Sequence, residues 1–148
     1  FKEQENIEPE DLRFDIIRGT TTVPRLVGEF ARDESGLEDL LHRFGSVGGF
    51  FAFDVPGLNE MPEAERDEAV NAACTALENY VRNHAEGHCV DFIGRAVGRF
   101  HVYVDFIAYD IRAVCNAAFE YFENYDTPFA AFQTYRRHVA WYNMKKQS

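Results

Sequence analysis

Residues 84–89 read His-Ala-Glu-Gly-His-Cys, and His84 and His88 stand four positions apart. On a helix that spacing puts both imidazoles on one face, where they form a zinc-type donor set with Cys89 and with His101 further along. The order is not His-Glu-x-x-His, so no glutamate base accompanies such a metal, and Gly87 weakens the helix that the geometry needs. The reading without chemistry is a frayed helix end whose histidines complement the dipole. The expected cofactor is none, with His84, His88 and Cys89 as the metal candidates. Cys74, Cys89 and Cys115 are odd in number and widely spaced, with no CxxC pair. They predict a reducing compartment and small buried hydrophobes rather than disulfides. A di-iron site needs Glu-x-x-His on two helices, and Asp39 with His42 is the nearest approach. No GxSxG, phosphate-binding loop or GxGxxG occurs, so no catalytic residue is assigned. Glu120, Glu123 and Asp126 read as a solvated face. Asp105 and Asp110 interrupt an apolar run and should point outward or pair with Arg99 or Arg112.

The chain has 148 residues, 46% hydrophobic and 27% charged, the composition of an ordinary globular protein, and it is expected to form one domain over 1–148. That length buries roughly 68–70% of the unfolded surface without staples. Net charge is −10, and residues 1–74 hold 17 acidic and 7 basic side chains. Such a field repels phosphates, so no nucleic acid partner is expected, and it favours basic partners or solubility. No run is long and apolar enough for a spanning helix, and the acidic start does not suit a signal peptide. The chain opens on Phe1. The expected location is intracellular, cytoplasmic or organellar after removal of a targeting segment.

Helix punctuation organises the rest. Pro9 to Gly19 reads as a short helix, and Pro24 opens a second with Val23, Leu26, Val27, Phe30 and Ala31 on one stripe. Ser35-Gly36-Leu37-Glu38 is a capping box that begins a third. Residues 46–61 read as a buried connector. From Pro62 an acidic first turn leads a helix with Val70, Ala73, Cys74, Leu77, Val81 and His84 inside and a stop at Gly87. Helical spacing then runs through Ile93, Ala96, Val97, Phe100, Val104, Ile107, Ile111, Cys115, Ala118 and Phe122. Phe100, Val102, Val104 and Phe106 alternate with polar neighbours as a strand would, but the longer register favours a central helix at about 89–122. Gly94 and Gly98 let another backbone approach closely. Phe129, Phe132, Val139 and Ala140 suggest a last helix. The expected fold is all-α, a single-domain bundle of about six or seven helices around 89–122.

Fourteen phenylalanines, seven tyrosines and one tryptophan exceed what a minimal core requires. Phe50, Phe51 and Phe53, beside glycines, could rim a partner site. Gly94-Arg95-Ala96-Val97-Gly98 resembles the first homology motif of the B-cell-lymphoma family of apoptosis regulators, with Phe92-Ile93-Gly94-Arg95 where that family has Asn-Trp-Gly-Arg. Leu41-His42-Arg43-Phe44-Gly45-Ser46 is similar to the third motif. The second is absent, with Trp141-Tyr142 near its expected place. The resemblance implies a helical bundle that captures an amphipathic helix of a partner protein in an apolar groove. It implies that Arg95 takes the ligand's aspartate and that Val97, Phe92 and Leu77 line the groove beside Gly94. The expected function is thus a non-enzymatic protein–protein interaction domain. The alternatives are an accessory helical subunit of a larger assembly and a small metal-binding enzyme using the His/Cys cluster.

Overall fold

Proline and acidic first turns place the first helices of the computed structural model, which describes residues 16–32, 36–85, 88–98, 101–135 and 142–144. Pro24 sits in the first turn of α1 (Pro24–Ala31), which buries Leu26 and Phe30 one turn apart. Glu38 and Asp39 occupy the first turn of α2 (Gly36–Arg43). Glu63 and Glu65 do the same for α3 (Glu63–His84), whose inner face is Val70, Cys74, Leu77 and Val81. Asp110 caps α4 (Ile111–Asn124): its side chain accepts from the Ala113 amide at 3.2 Å. α1, α3 and α4 each bury an apolar stripe and α2 half-buries Leu37 and Leu41, so each needs a surface to lie on.

That surface is a six-stranded sheet. Its strands are β1 (Ile16–Thr21), β2 (Val47–Phe53), β3 (Val90–Gly98), β4 (Val102–Ala108), β5 (Ala130–Thr134) and β6 (Tyr142–Asn143), in the order β1-β3-β4-β2-β5-β6. Every neighbouring pair is antiparallel. The run β2-α3-β3-β4-α4-β5 is the β-α-β-β-α-β, split-βαβ connectivity of ferredoxin-like folds, widened by β1 at one edge and β6 at the other. Helices cover both faces. Phe51, Phe53, Val104 and Phe106 share one core with the inner residues of α3 and α4. Phe50, Ala52, Tyr103, Ala131 and Tyr135 share a second with Leu26 and Phe30 of α1.

Side-chain ties fasten the layers. Glu38, buried on α2, accepts from the Gly48 amide of β2 at 2.9 Å. Glu29 on α1 accepts from the Leu37 amide at 2.7 Å and from Arg25 Nε at 2.6 Å. Arg95 on β3 reaches across to α3, donating to Glu78 at 2.8 Å, Thr75 Oγ1 at 3.0 Å and the Asn71 carbonyl at 3.3 Å. β1 lies unusually close to β3 at Gly94, where a Cβ would stand 2.3 Å from the Thr20 carbonyl oxygen. Only glycine fits there.

The sheet corrects the expected fold. The protein is a mixed α/β fold, and the all-α bundle of about six or seven helices is not what forms. The resemblance to the apoptosis-regulator family falls with it, because a six-stranded antiparallel sheet cannot be a helical bundle. The expected central helix at 89–122 is instead β3, β4 and α4. Its spacing misled for two physical reasons. A sheet buried on both faces has strands that are apolar at nearly every position, so they match a helical template as easily as an alternating one. In β3, moreover, the register slips between Phe92 and Gly94, and burial recurs every third residue, at Val90, Ile93 and Ala96. A bulge thus imitates a helix. The 46–61 connector contains β2, the end of the Pro9–Gly19 segment belongs to β1, and Ala130–Thr134 of the expected last helix is β5. The remainder of those segments, at 9–15 and 136–141, lies outside the described residues, as does Trp141.

Candidate functional site

At one end of the sheet, β2 finishes beside the start of β4 and of β5: Phe53 pairs with Val102 and with Ala130. The residue after β2 is Asp54 and the residue before β4 is His101, so strand pairing alone brings them together across 47 positions of sequence. His101 Nδ1 lies 2.7 Å from Asp54 Oδ1. The imidazole is 4% exposed and Asp54 is 27% exposed, so the ring forms a buried floor and the carboxylate opens toward solvent.

The surroundings hold this pair in place. The His101 ring stacks on Phe129 with centroids 4.2 Å apart and 17° between planes. Its carbonyl accepts from the Gly98 amide at 2.8 Å, which steadies the end of the β3–β4 hairpin. Asp54 is fixed through its backbone, whose amide donates to the Phe129 carbonyl at 3.3 Å and whose carbonyl accepts from Thr127 Oγ1 at 2.9 Å. Beyond Asp54 the chain turns at Pro56-Gly57, where Gly57 has φ of 75°, a left-handed conformation that glycine adopts without strain. A single 3₁₀ turn at Leu58–Glu60 follows. The turn and the pair together border a cleft of about 280 Å³ that is open to solvent. Val55, Pro56, Leu58, Val102 and Pro128 supply apolar walls, and Asp54, Asn59, Glu60 and His101 supply polar groups.

A carboxylate 2.7 Å from Nδ1 orients the ring, the device common to catalytic and ligand-binding histidines. The described lining contains no serine, threonine, cysteine or tyrosine. The cavity therefore has polar groups for recognition, and Asp54, Glu60 and His101 are the side chains in its described lining that could take part in chemistry.

The residues singled out by sequence are placed elsewhere. His84 ends α3, its ring stacked on Tyr80 at 3.8 Å and its Nδ1 2.9 Å from the Tyr80 carbonyl. His88 Nε2 lies 3.4 Å from Asp91 Oδ1, and Tyr109 donates to the other Asp91 oxygen at 2.5 Å. Cys89 is buried, and burial pushes its thiol above the usual value. Burial likewise pushes Cys74 up to about 12 and Cys115 up to about 11. Among the described residues no group of three His, Cys, Asp or Glu side chains is placed to hold a metal ion.

Phe50, Phe51, Phe53 and Leu77 are fully buried in the two cores. Phe92 and Val97 pack against the core of α3 and α4, Gly94 admits β1, and the Arg95 guanidinium binds α3. Arg95 and Val97 also line a cavity of about 300 Å³ with Gly19 and Thr20 of β1 and Asp67, Val70 and Asn71 of α3. Asp110 is the cap of α4, and Asp105 is buried on β4 opposite Gly94. The Asp54–His101 pair was not visible in sequence: His101 stood out only as a further metal ligand, and nothing local links it to Asp54.

No protein-family model, curated protein sequence or solved structure matches the chain. The functional reading therefore rests on the geometry of the site. No described helix is long and apolar enough to cross a membrane.

Proposed function

We propose that this protein is a small-ligand-binding domain whose pocket is the cavity over the His101–Asp54 pair. The observation that supports it most is the buried imidazole, oriented by a carboxylate and lining a cleft of about 280 Å³. Ligand sites combine apolar walls with a few convergent polar groups, and this cavity has both. A fragment library screened by thermal shift tests the reading against Asn59→Trp, which places an indole in the cavity from an exposed turn. Fragments that stabilise the parent and lose that effect in Asn59→Trp support it. Fragments that stabilise both proteins equally oppose it.

A second reading, protein contact without catalysis, is favoured by Leu40 and Phe44, one turn apart near the end of α2 and 42% and 80% exposed. Co-purification of a stoichiometric partner that is released by Phe44→Glu and retained by Asp54→Asn would favour it over the pocket.

A further inference from the structure

The His101 ring rests on two groups: the Asp54 carboxylate, 2.7 Å from Nδ1, and the Phe129 ring, stacked with centroids 4.2 Å apart. Asp54 follows β2 and Phe129 precedes β5, so the position of one against the other governs how the imidazole lies. We infer that Thr127 is the positioning residue of this site, its hydroxyl tying Asp54 to Phe129 and thereby setting the orientation of the His101 ring. What that orientation does for a ligand rests on the pocket reading above, whereas the positioning itself does not.

The placement of Thr127 carries the inference. It lies in the connection from α4 to β5 between Asp126 and Pro128, which are exposed, yet it is itself only 3% exposed. Its amide donates to the Tyr125 carbonyl at 2.9 Å, which anchors it to the end of α4. Its Oγ1 stands 2.9 Å from the Asp54 carbonyl oxygen and 3.1 Å from that of Phe129, and the Phe129 amide approaches it at 3.5 Å. A hydroxyl has a single proton to donate, and here it lies between the two residues that hold the imidazole. Apart from it, the Asp54 amide reaches the Phe129 carbonyl at 3.3 Å. Loss of the hydroxyl takes its side-chain donor from the Asp54 carbonyl at a place where burial leaves water little access. The backbone that carries the Asp54 carboxylate is then free to turn relative to the Phe129 face, and the imidazole follows.

The test is a long-range ¹H–¹⁵N spectrum of the histidine rings, recorded without ligand at one near-neutral pH, for the parent, Thr127→Val and Thr127→Ser. Valine keeps the shape and loses the hydroxyl, whereas serine keeps the hydroxyl and loses the methyl. The inference expects the His101 ring nitrogens to shift in Thr127→Val and to return toward the parent values in Thr127→Ser. His84, which ends α3, and His88, beside the opposite end of the sheet, should stay unmoved in both. A threonine that only stabilises its connection lowers the unfolding midpoint and leaves the ring nitrogens in place, so unmoved His101 signals in folded Thr127→Val overturn the inference. Equal displacement in the two variants also overturns it, because the methyl rather than the hydroxyl then matters. If Thr127→Val does not fold, the parent decides. A tied hydroxyl gives a slowly exchanging Thr127 hydroxyl proton with a nuclear Overhauser contact to the Phe129 amide, and its absence overturns the inference. The pocket reading is decided separately, by the fragment screen with Asn59→Trp.

Discussion

Phe51 and Phe44 make opposite demands on the architecture. Phe51 is fully buried, with ring centroids 4.7 Å from Phe106, 6.0 Å from Phe132 and 6.3 Å from Phe122. These neighbours belong to two flanking strands and to α4, held apart by sheet hydrogen bonds, and they cannot close over the space that a missing ring leaves. Phe51→Ala should therefore cost about 3–5 kcal/mol, the transfer of the ring plus the residual cavity, toward the upper end. Phe44, 80% exposed, should change stability by less than about 0.5 kcal/mol when truncated. At 148 residues the whole domain is worth about 7–22 kcal/mol, so the Phe51 variant is measurable. Urea unfolding followed by far-ultraviolet circular dichroism gives both numbers, compared at equal denaturant slope. If the two truncations fall within about 1 kcal/mol of each other, Phe51 is not in a core between sheet and helices, and the two-sided sandwich is refuted.

Three further outcomes follow from the same packing. Gly94→Ala should cost about 1–3 kcal/mol by overpacking, and it should speed hydrogen exchange in β1 while β5 stays protected; unchanged protection of β1 would contradict the close approach at Thr20. The Glu29 carboxyl is held below its ordinary value, first by the Leu37 amide and then by Arg25. Its stabilisation is present above the unfolded-state pKa and is lost as pH falls through the lower folded-state value. Glu29→Gln should accordingly flatten the acid limb of a stability-against-pH curve, and a superimposable limb would remove that role. Cys74, with its thiol near 12, should resist alkylation at neutral pH until the domain unfolds, as read by peptide mapping; rapid labelling in the folded protein would show the thiol to be accessible.

The legible parts of the fold were those with local punctuation. Pro24, the Leu37–Phe44 stripe and the acidic turn after Pro62 placed α1, α2 and α3 in turn, because such signals act on their own helix. The sheet was illegible because β2, Val-Gly-Gly-Phe-Phe-Ala-Phe, is sandwiched between helices and has no polar face to alternate. In β3 the bulge at Phe92–Gly94 gave a threefold burial rhythm, and the true signal, the alternation from Val102 to Phe106 in β4, was short enough to be outweighed. Gly94 does allow close backbone approach, but between strands rather than helices. The site was less legible still, since Asp54 and His101 meet only through the pairing of β2 with β4.

The most direct measurement is to map the strongest binder from the fragment screen onto the ¹⁵N amides of the parent and of Asn59→Trp. A ligand-binding pocket over the His101–Asp54 pair predicts saturable shifts concentrated at Asp54, Asn59, Gly98 and Val102, and their loss in the variant. Shifts that map away from this end of the sheet, or that persist when the indole fills the cavity, would contradict it.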